Sequence, residues 1–330
     1  MLDVQVIGIV DSSPISRSDA IASGFTAFSS IEELIAQRIE AAIVAVPTSE
    51  HGVVAHRLIE AGCAVLVEKP LARGAAEAKL IIDAAKQRAV PLMVGYVERY
   101  NPAIEVFHNL LKQGDIGDIM SIDARRVGPL PPRIEDVDLV IDVAVHDLDM
   151  VAFLTERRLQ LISAQAESVA LGGRADRSSL VVSAGACIAK IESNWVTPIK
   201  LREIHATGTR GSCHVDYVRQ ELSFTPNGLR IAEPESNSRS GIRYEMNATT
   251  SLPVRKGESL ARQDRAFVNA ARGSDLPSPE LALESLRIAE EALGTMAALR
   301  SEPWESTVLN VPQTSGVEVT QEQTMGSSSK

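Results

Sequence analysis

Short apolar runs alternate with amphipathic stretches through the first hundred residues. Val4 to Val10 (Val-Gln-Val-Ile-Gly-Ile-Val) reads as a buried strand that stops at Asp11. "SSIEELIAQRIE" (29–40) has a serine start and apolar positions at helical spacing, which predicts a helix. "AAIVAVP" (41–47) is an all-apolar run of the kind that forms an interior parallel strand, and "AVLVEKP" (64–70) and "PLMVGY" (91–96) read as the next strands. Between them, 49–62 and 74–88 carry helical periodicity, the first stopped by Gly62. Such alternation predicts a doubly wound parallel sheet covered by helices.

The pattern changes after residue 100. One more helix-and-turn, "AIEVFHNLLKQGDIGD", leads into a strand, "IMSIDARRVG", and a helix, "VHDLDMVAFLTER", follows Asp142. Then come "LQLISAQAESVAL", "SLVVSAGACIAKIESNW", "KLREIHATGTRGSCHVDY" and "ELSFTP", strand-like runs with no helices between them. These predict a second, α+β domain with a large, mostly antiparallel sheet, closed by helices within 258–272 and 279–300. The expected division is 1–98, 99–302 and a polar, loose tail over 303–330.

With 330 residues the chain has room for two cores, and its 45% hydrophobic and 23% charged residues are ordinary for a globular protein. A net charge of −10 argues against nucleic acid or an anionic membrane as partner. No apolar run reaches the roughly 20 residues that span a bilayer, and no signal-peptide pattern opens the chain, so a cytoplasmic location is expected. Three widely spaced cysteines, Cys63, Cys187 and Cys213, predict small buried hydrophobes rather than disulfides or a metal knuckle.

Three segments carry candidate chemistry. "VPTSEH" places Pro47, Thr48 and His51 where a strand ends and a helix begins, the ligand-binding edge of an open α/β sheet. Taken alone, Thr48 or Ser49 reads as a plain helix cap. "VEKP" sets Glu68 and Lys69 at the end of the next strand. A lysine held beside a desolvated pocket can serve in proton transfer, though a lone strand-end lysine is ordinarily a solvated one. "DVAVHDLDM" puts Asp142 and His146 one helical turn apart, with the imidazole a candidate base and the carboxylate its orienter. Asp147 and Asp149 leave a metal site open as a rival reading, and a polar helix start as the plain one.

Together, "PTSEHGVVAHRLIEAGCAVLVEKPLA", "GYVERYNPA" and "DVAVHDLD" resemble the glucose–fructose oxidoreductase/inositol dehydrogenase (Gfo/Idh/MocA) family from residue 3 to about 300, and within it look closest to the UDP-N-acetylglucosamine 3-dehydrogenase branch. The resemblance implies a Rossmann-like domain and NAD, with hydride transfer at a secondary hydroxyl of a nucleotide sugar. It implies Lys69, Asp142 and His146 as catalytic residues, and Asp11, Pro47, Thr48, His51, Glu68, Lys69 and Arg99 along the cofactor. Asp11 favours NAD over NADP, because a carboxylate repels a 2′-phosphate. Tyr100, Asn101, Arg126, Asp142, His146, Lys200 and Arg202 are the substrate-side candidates, the cations for a pyrophosphate. A free polyol such as inositol, or a non-catalytic sugar-binding role, remains an alternative. No metal is expected, and a homodimer or homotetramer is.

One departure stands out. The family opens with a strand and a G-x-G-x-x-G/A turn, and no two of the 21 glycines here stand two apart. The Rossmann unit is therefore expected to lack its first strand, and the chain as written to bind NAD weakly or not at all, since that turn lets the backbone approach the pyrophosphate. A start at an internal methionine of a longer frame, a shortened relative, and a gap filled by a neighbouring subunit are the three accounts of it.

Overall fold

A computed structural model of the chain describes residues 4–130, 138–168, 175–231, 242–244 and 247–300; the tail expected over 303–330 lies outside them. The first domain runs β1 (Ile9–Val10), α1 (Pro14–Ala22), β2 (Ala27–Phe28), α2 (Ile31–Ile35), β3 (Ala41–Val44), α3 (Thr48–Glu60), β4 (Ala64–Glu68), α4 (Ala75–Arg88) and β5 (Leu92–Gly95). Its strands all pair in parallel, in two sheets: β1 with β2, and β3–β4–β5. The predicted run from Val4 to Val10 is a strand only over its last two residues, because its one neighbour, β2, is itself two residues long. Val4, Val6 and Ile9 are exposed, as is Ile43 on β3. These are the side chains a continuous sheet covered on both faces would bury.

Local chemistry accounts for the helices. Ser13 caps α1 and Pro14 occupies its first turn, where a missing N–H costs nothing. Asn101 and Pro102 start α5 (Pro102–Gln113) in the same way, and Gly114, at φ 77°, ends it. The helix expected over 29–40 is a single short α2 that stops at Ile35; the residue three beyond, Arg38, has φ 58°.

The second domain is an eight-stranded sheet. In chain order its members are β6 (Ile119–Pro129), β7 (Leu159–Glu167), β8 (Arg177–Ala184), β9 (Cys187–Asn194), β10 (Val196–Gly208), β11 (Gly211–Asp216), β12 (Glu221–Pro226) and, after a small hairpin of β13 (Leu229–Ile231) and β14 (Ile242–Tyr244), β15 (Thr250–Leu252). Their spatial order is β15-β12-β11-β10-β6-β9-β8-β7, and every pairing is antiparallel except β6 with β9. One face alternates out to charged residues such as Asp123, Arg125 and Glu203, while Ile122, Ala124 and Ile204 point inward. A five-residue π-helix, Val140–Ala144, runs into α6 (Val145–Thr155), and α7 (Ser259–Ala271) and α8 (Glu280–Arg300) close the fold.

One buried core joins the two domains. It includes Val65 and Val67 of β4, Ile104 of α5, Ile122 of β6, Leu148 of α6 and Leu286 of α8. The Tyr96 hydroxyl and Ser285 Oγ, 2.9 Å apart, add a buried polar tie. This shared core fixes the carboxyl ends of β3 and β4 against the π-helix. The three cysteines are buried free thiols, and burial pushes the Cys213 thiol up to about 12.

Candidate active site

The site begins at two strand ends. β3 and β4 deliver Val46 to Ser49 and Glu68 to Pro70 to one edge, where Ala45, Val46, Pro47, Thr48, Glu68 and Lys69 line a cavity of about 530 Å³. Pro47 stands at the N-cap of α3, and no side chain caps that helix, so its first N–H groups face the cavity edge without a side-chain acceptor. Glu68 lies beside Gly95 of β5, and a Cβ there would come within 2.9 Å of the Glu68 carboxylate, so glycine makes the room for that acid. The Lys69–Pro70 peptide is cis. His51 ties the edge together: its ring nitrogens lie 2.8 Å from the Pro70 carbonyl oxygen and 2.9 Å from that of Val46, with the side chain buried. It lines the cavity, but both polar atoms are turned to the backbone.

Across this edge stands the π-helix. Lys69 Nζ donates to Asp142 Oδ1 at 2.8 Å and to the Asp142 carbonyl at 2.9 Å. Asp142 thus sits on a π-helix rather than the α-helix its spacing from His146 implied, a widened turn that often marks functional positions. His146 follows in the first turn of α6. Its Nδ1 is buried without a hydrogen-bond partner among the described residues, and its ring meets Tyr96 edge to face at 6.1 Å. Burial, then the charges of Arg126, Lys69 and Arg202, hold His146 well below the usual imidazole range.

The sign of that shift has a measurable consequence. The unfolded chain takes up a proton near an ordinary value of about 6.5 that folded His146 refuses, so stability falls as pH drops below that value and goes on falling toward the folded one. The thermal midpoint is expected to decline more steeply between about pH 7 and 5 in the native chain than in His146→Gln. Equal slopes in the two proteins would show that His146 does not carry the effect.

Behind Lys69, Asp142 and His146 lie buried ion pairs that sequence reasoning did not assign. Arg126 donates through Nε and Nη2 to the two Asp147 oxygens, each at 3.0 Å, and through Nη1 to Glu98 Oε1 at 3.0 Å. Burial opposes its charge, but Asp147 and Glu98 outweigh that and raise its pKa. Arg99 donates through Nε at 2.8 Å and through Nη2 to Asp149 and lies over the Tyr96 and Phe153 rings. Asp147 and Asp149 are therefore arginine partners, and no group of three metal-ligating side chains occurs among the described residues.

Several expected placements change accordingly. Arg99, expected along the cofactor, is buried on Asp149 because a charge inside the core needs its counterion at hand. Arg126, expected toward substrate, is 5% exposed and saturated by carboxylates. Asn101 caps α5 and donates to the Tyr217 carbonyl at 3.0 Å, and the Tyr100 hydroxyl points to Met93 Sδ at 3.7 Å; neither is among the residues that line the cavity. Asp11 lies away from the cavity on the β1–β2 sheet, its Oδ1 accepting from Ser13 N at 2.7 Å and its carbonyl from Arg17 at 2.7 Å. Lys200 is exposed on β10, and Arg202 is half-exposed two residues further on. The missed anchors did leave a signal: Asp147 and Asp149 alternate with Leu148, Met150 and Val151 inside an otherwise apolar helix, where a carboxylate must be paired.

Comparison with known proteins follows this geometry. Residues 2–96 match a family model described as "Oxidoreductase family, NAD-binding Rossmann fold", and residues 104–214 match the "GFO/IDH/MocA C-terminal domain", together more than half of the chain. A UDP-N-acetylglucosamine 3-dehydrogenase of Acidithiobacillus ferrooxidans is 36% identical over 129 residues, 39% of this chain and 40% of that protein. An inositol 2-dehydrogenase of Rhizobium meliloti is 23% identical over 315 residues, 90% of this chain and 91% of that one. Among solved structures, UDP-N-acetylglucosamine 3-dehydrogenase GnnA from Acidithiobacillus ferrooxidans superposes with a TM-score of 0.75 at 24% identity, covering 89% of this chain and 90% of that one. A levoglucosan dehydrogenase in complex with NADH and levoglucosan gives 0.72 at 20%, covering 89% and 88%. The two structural likenesses speak to the fold.

Proposed function

The chain belongs to the Gfo/Idh/MocA family of oxidoreductases, and from that premise we propose that it is an NAD-dependent dehydrogenase acting on a secondary hydroxyl of a nucleotide sugar. The observation that carries the reading is the junction of Lys69, which lines the cavity at the strand ends of the first domain, with Asp142 in the second at 2.8 Å, His146 one turn further on.

The residues at that edge fit the nicotinamide end of a dinucleotide. Thr48, Ser49 and the uncapped start of α3 offer donors and Pro47 and Val46 an apolar wall, and a dinucleotide extended from this edge to the β1–β2 sheet would meet the Asp11 carboxylate at its adenosine ribose, which disfavours a 2′-phosphate. Bound there, the nicotinamide would supply the hydride acceptor. The protein's share is position and proton transfer. Lys69, in its neutral amine form, and His146 are the two nitrogen groups that can take the sugar hydroxyl's proton as its carbon gives up hydride. Asp142 holds the lysine in register, and the neutral imidazole is free to accept.

Support for a nucleotide sugar comes from the 36%-identical relative and from the cation on β10 near the cleft. A free polyol is the second reading, favoured by the inositol 2-dehydrogenase match that runs along most of the chain. Because the chain as written has no G-x-G-x-x-G turn and is expected to bind NAD weakly, NAD in large excess separates them: UDP-N-acetylglucosamine is expected to give NADH and to raise the thermal midpoint by mass action, and myo-inositol to do neither. Turnover of inositol alone reverses the choice, and turnover of neither sinks the dehydrogenase reading for this chain.

A further inference from the structure

We propose that Arg202 selects the charge of the substrate, receiving an oxyanion that the sugar carries on the side away from its reacting carbon. This rests on the cleft assigned above and names what that cleft recognises. Arg202 on β10 lies directly opposite Arg126 on β6, so the two side chains share a face of the sheet and sit within one cross-strand spacing of each other. Two like charges so placed repel. Arg126 has its compensation, Asp147 through two nitrogens and Glu98 through the third.

Arg202 has far less. Its Nη1 is 3.7 Å from Glu98 Oε1, the same oxygen that Arg126 already holds at 3.0 Å. Among the described residues its guanidinium makes no hydrogen bond, and its side chain is 41% exposed, against 5% for Arg126. Burial and then Arg126 push its pKa down, so its charge gains little from the fold. Arg202 also acts on His146 and feels Asp142, which sets it within the field of the catalytic trio. Of the other cations in that field, Lys69 is held by Asp142 and Arg126 by its two acids.

A planar fork with open donors, set beside a second positive charge, matches a phosphoryl group or a carboxylate in two-point contact. On arrival of such a group Arg202 exchanges its long contact with Glu98 for hydrogen bonds, and the repulsion from Arg126 is screened. A neutral sugar offers neither gain.

The test uses the full chain and Arg202→Gln, with Arg202→Lys as a variant that keeps the charge but not the fork. Four probes are titrated calorimetrically: UDP-N-acetylglucosamine, UDP, glucuronate and uncharged N-acetylglucosamine. Arg202→Gln is expected to fold with an unchanged or higher thermal midpoint, since it removes a repelled charge. Its affinity for an oxyanion-bearing probe should drop about tenfold to a hundredfold, the scale of a lost charge-assisted hydrogen bond, with the uncharged sugar unaffected. Loss confined to the UDP probes identifies a phosphoryl group, and loss confined to glucuronate a carboxylate. The assignment is overturned if both kinds of anion bind the variant within twofold of the native chain. It is overturned equally if the native chain does not prefer them, or if the midpoint drops while anion affinity stays. Arg202-dependent binding of UDP-N-acetylglucosamine without NADH formation would remove the dehydrogenase reading and leave this one standing.

Discussion

Lys69→Met is expected to lower kcat by on the order of a hundredfold or more, the usual scale for losing a group that moves a proton in the transition state. Methionine keeps much of the length and apolar body of the side chain and removes only the nitrogen, which here reaches both the carboxylate and the carbonyl of Asp142. If the lysine acts at the sugar oxygen, kcat and kcat/KM should fall together while KM stays near its native value. Lys69→Arg restores a charge for Asp142 but not a nitrogen of the same reach and acidity, and should recover little. A rate within threefold of native for Lys69→Met would take the lysine out of the chemistry and leave the proton to His146. Steady-state kinetics on the accepted sugar decides between these outcomes.

The largest loss of stability is expected from Asp149→Ala. Asp149 is 1% exposed and is the carboxylate that faces Arg99, itself buried between the Tyr96 and Phe153 rings. Removing the acid strands a guanidinium in the core, which costs about 3–5 kcal/mol, against near neutrality when both partners of such a pair become apolar. Chemical denaturation of Asp149→Ala should therefore show a much lower midpoint, and Arg99→Met with Asp149→Ala should recover most of it. If the single variant unfolds within about 1 kcal/mol of native, or the double is no better, the pair does not stabilise as its geometry implies. The same substitution at Asp147 is a milder test, because Arg126 keeps Glu98.

Much of the architecture was legible because its causes are local. The apolar runs at 41–47, 64–70 and 91–96 became β3, β4 and β5, and the change to helix-free strands after residue 158 marked the second sheet. Lys69 and the Asp142–His146 pair were assigned to one site by motif resemblance, and the fold brings Lys69, 73 residues away in sequence, to 2.8 Å from Asp142. What escaped depended on neighbours. α1 and β2 were unmarked because "SSPISRSDAIA" has little apolar period and β2 is two residues long; the Ser-Pro start was the one available sign. Arg99 was assigned to the cofactor by the resemblance, and Arg126 to substrate as a second-domain cation suited to a pyrophosphate. Nothing local to either shows that Asp149 and Asp147 wait for them on α6. The π-turn at Asp142 was likewise invisible, since it adds no residue type that an α-turn would refuse.

The division of the first domain into two sheets has a consequence for how a ligand would be held. The lobe that carries Asp11 docks through Ile31 and Ile35 of α2 on the core and through an Arg57–Glu32 pair at 2.6 Å with both side chains half in water, a contact of little strength. Lys69, Asp142 and His146 are flanked instead by members of the shared core, Val67 and Leu71 on one side and Val140, Ala144 and Leu148 on the other. Breathing of the β1–β2 lobe can therefore proceed without disturbing the Lys69–Asp142 junction: one edge loosens and re-forms while the other stays assembled.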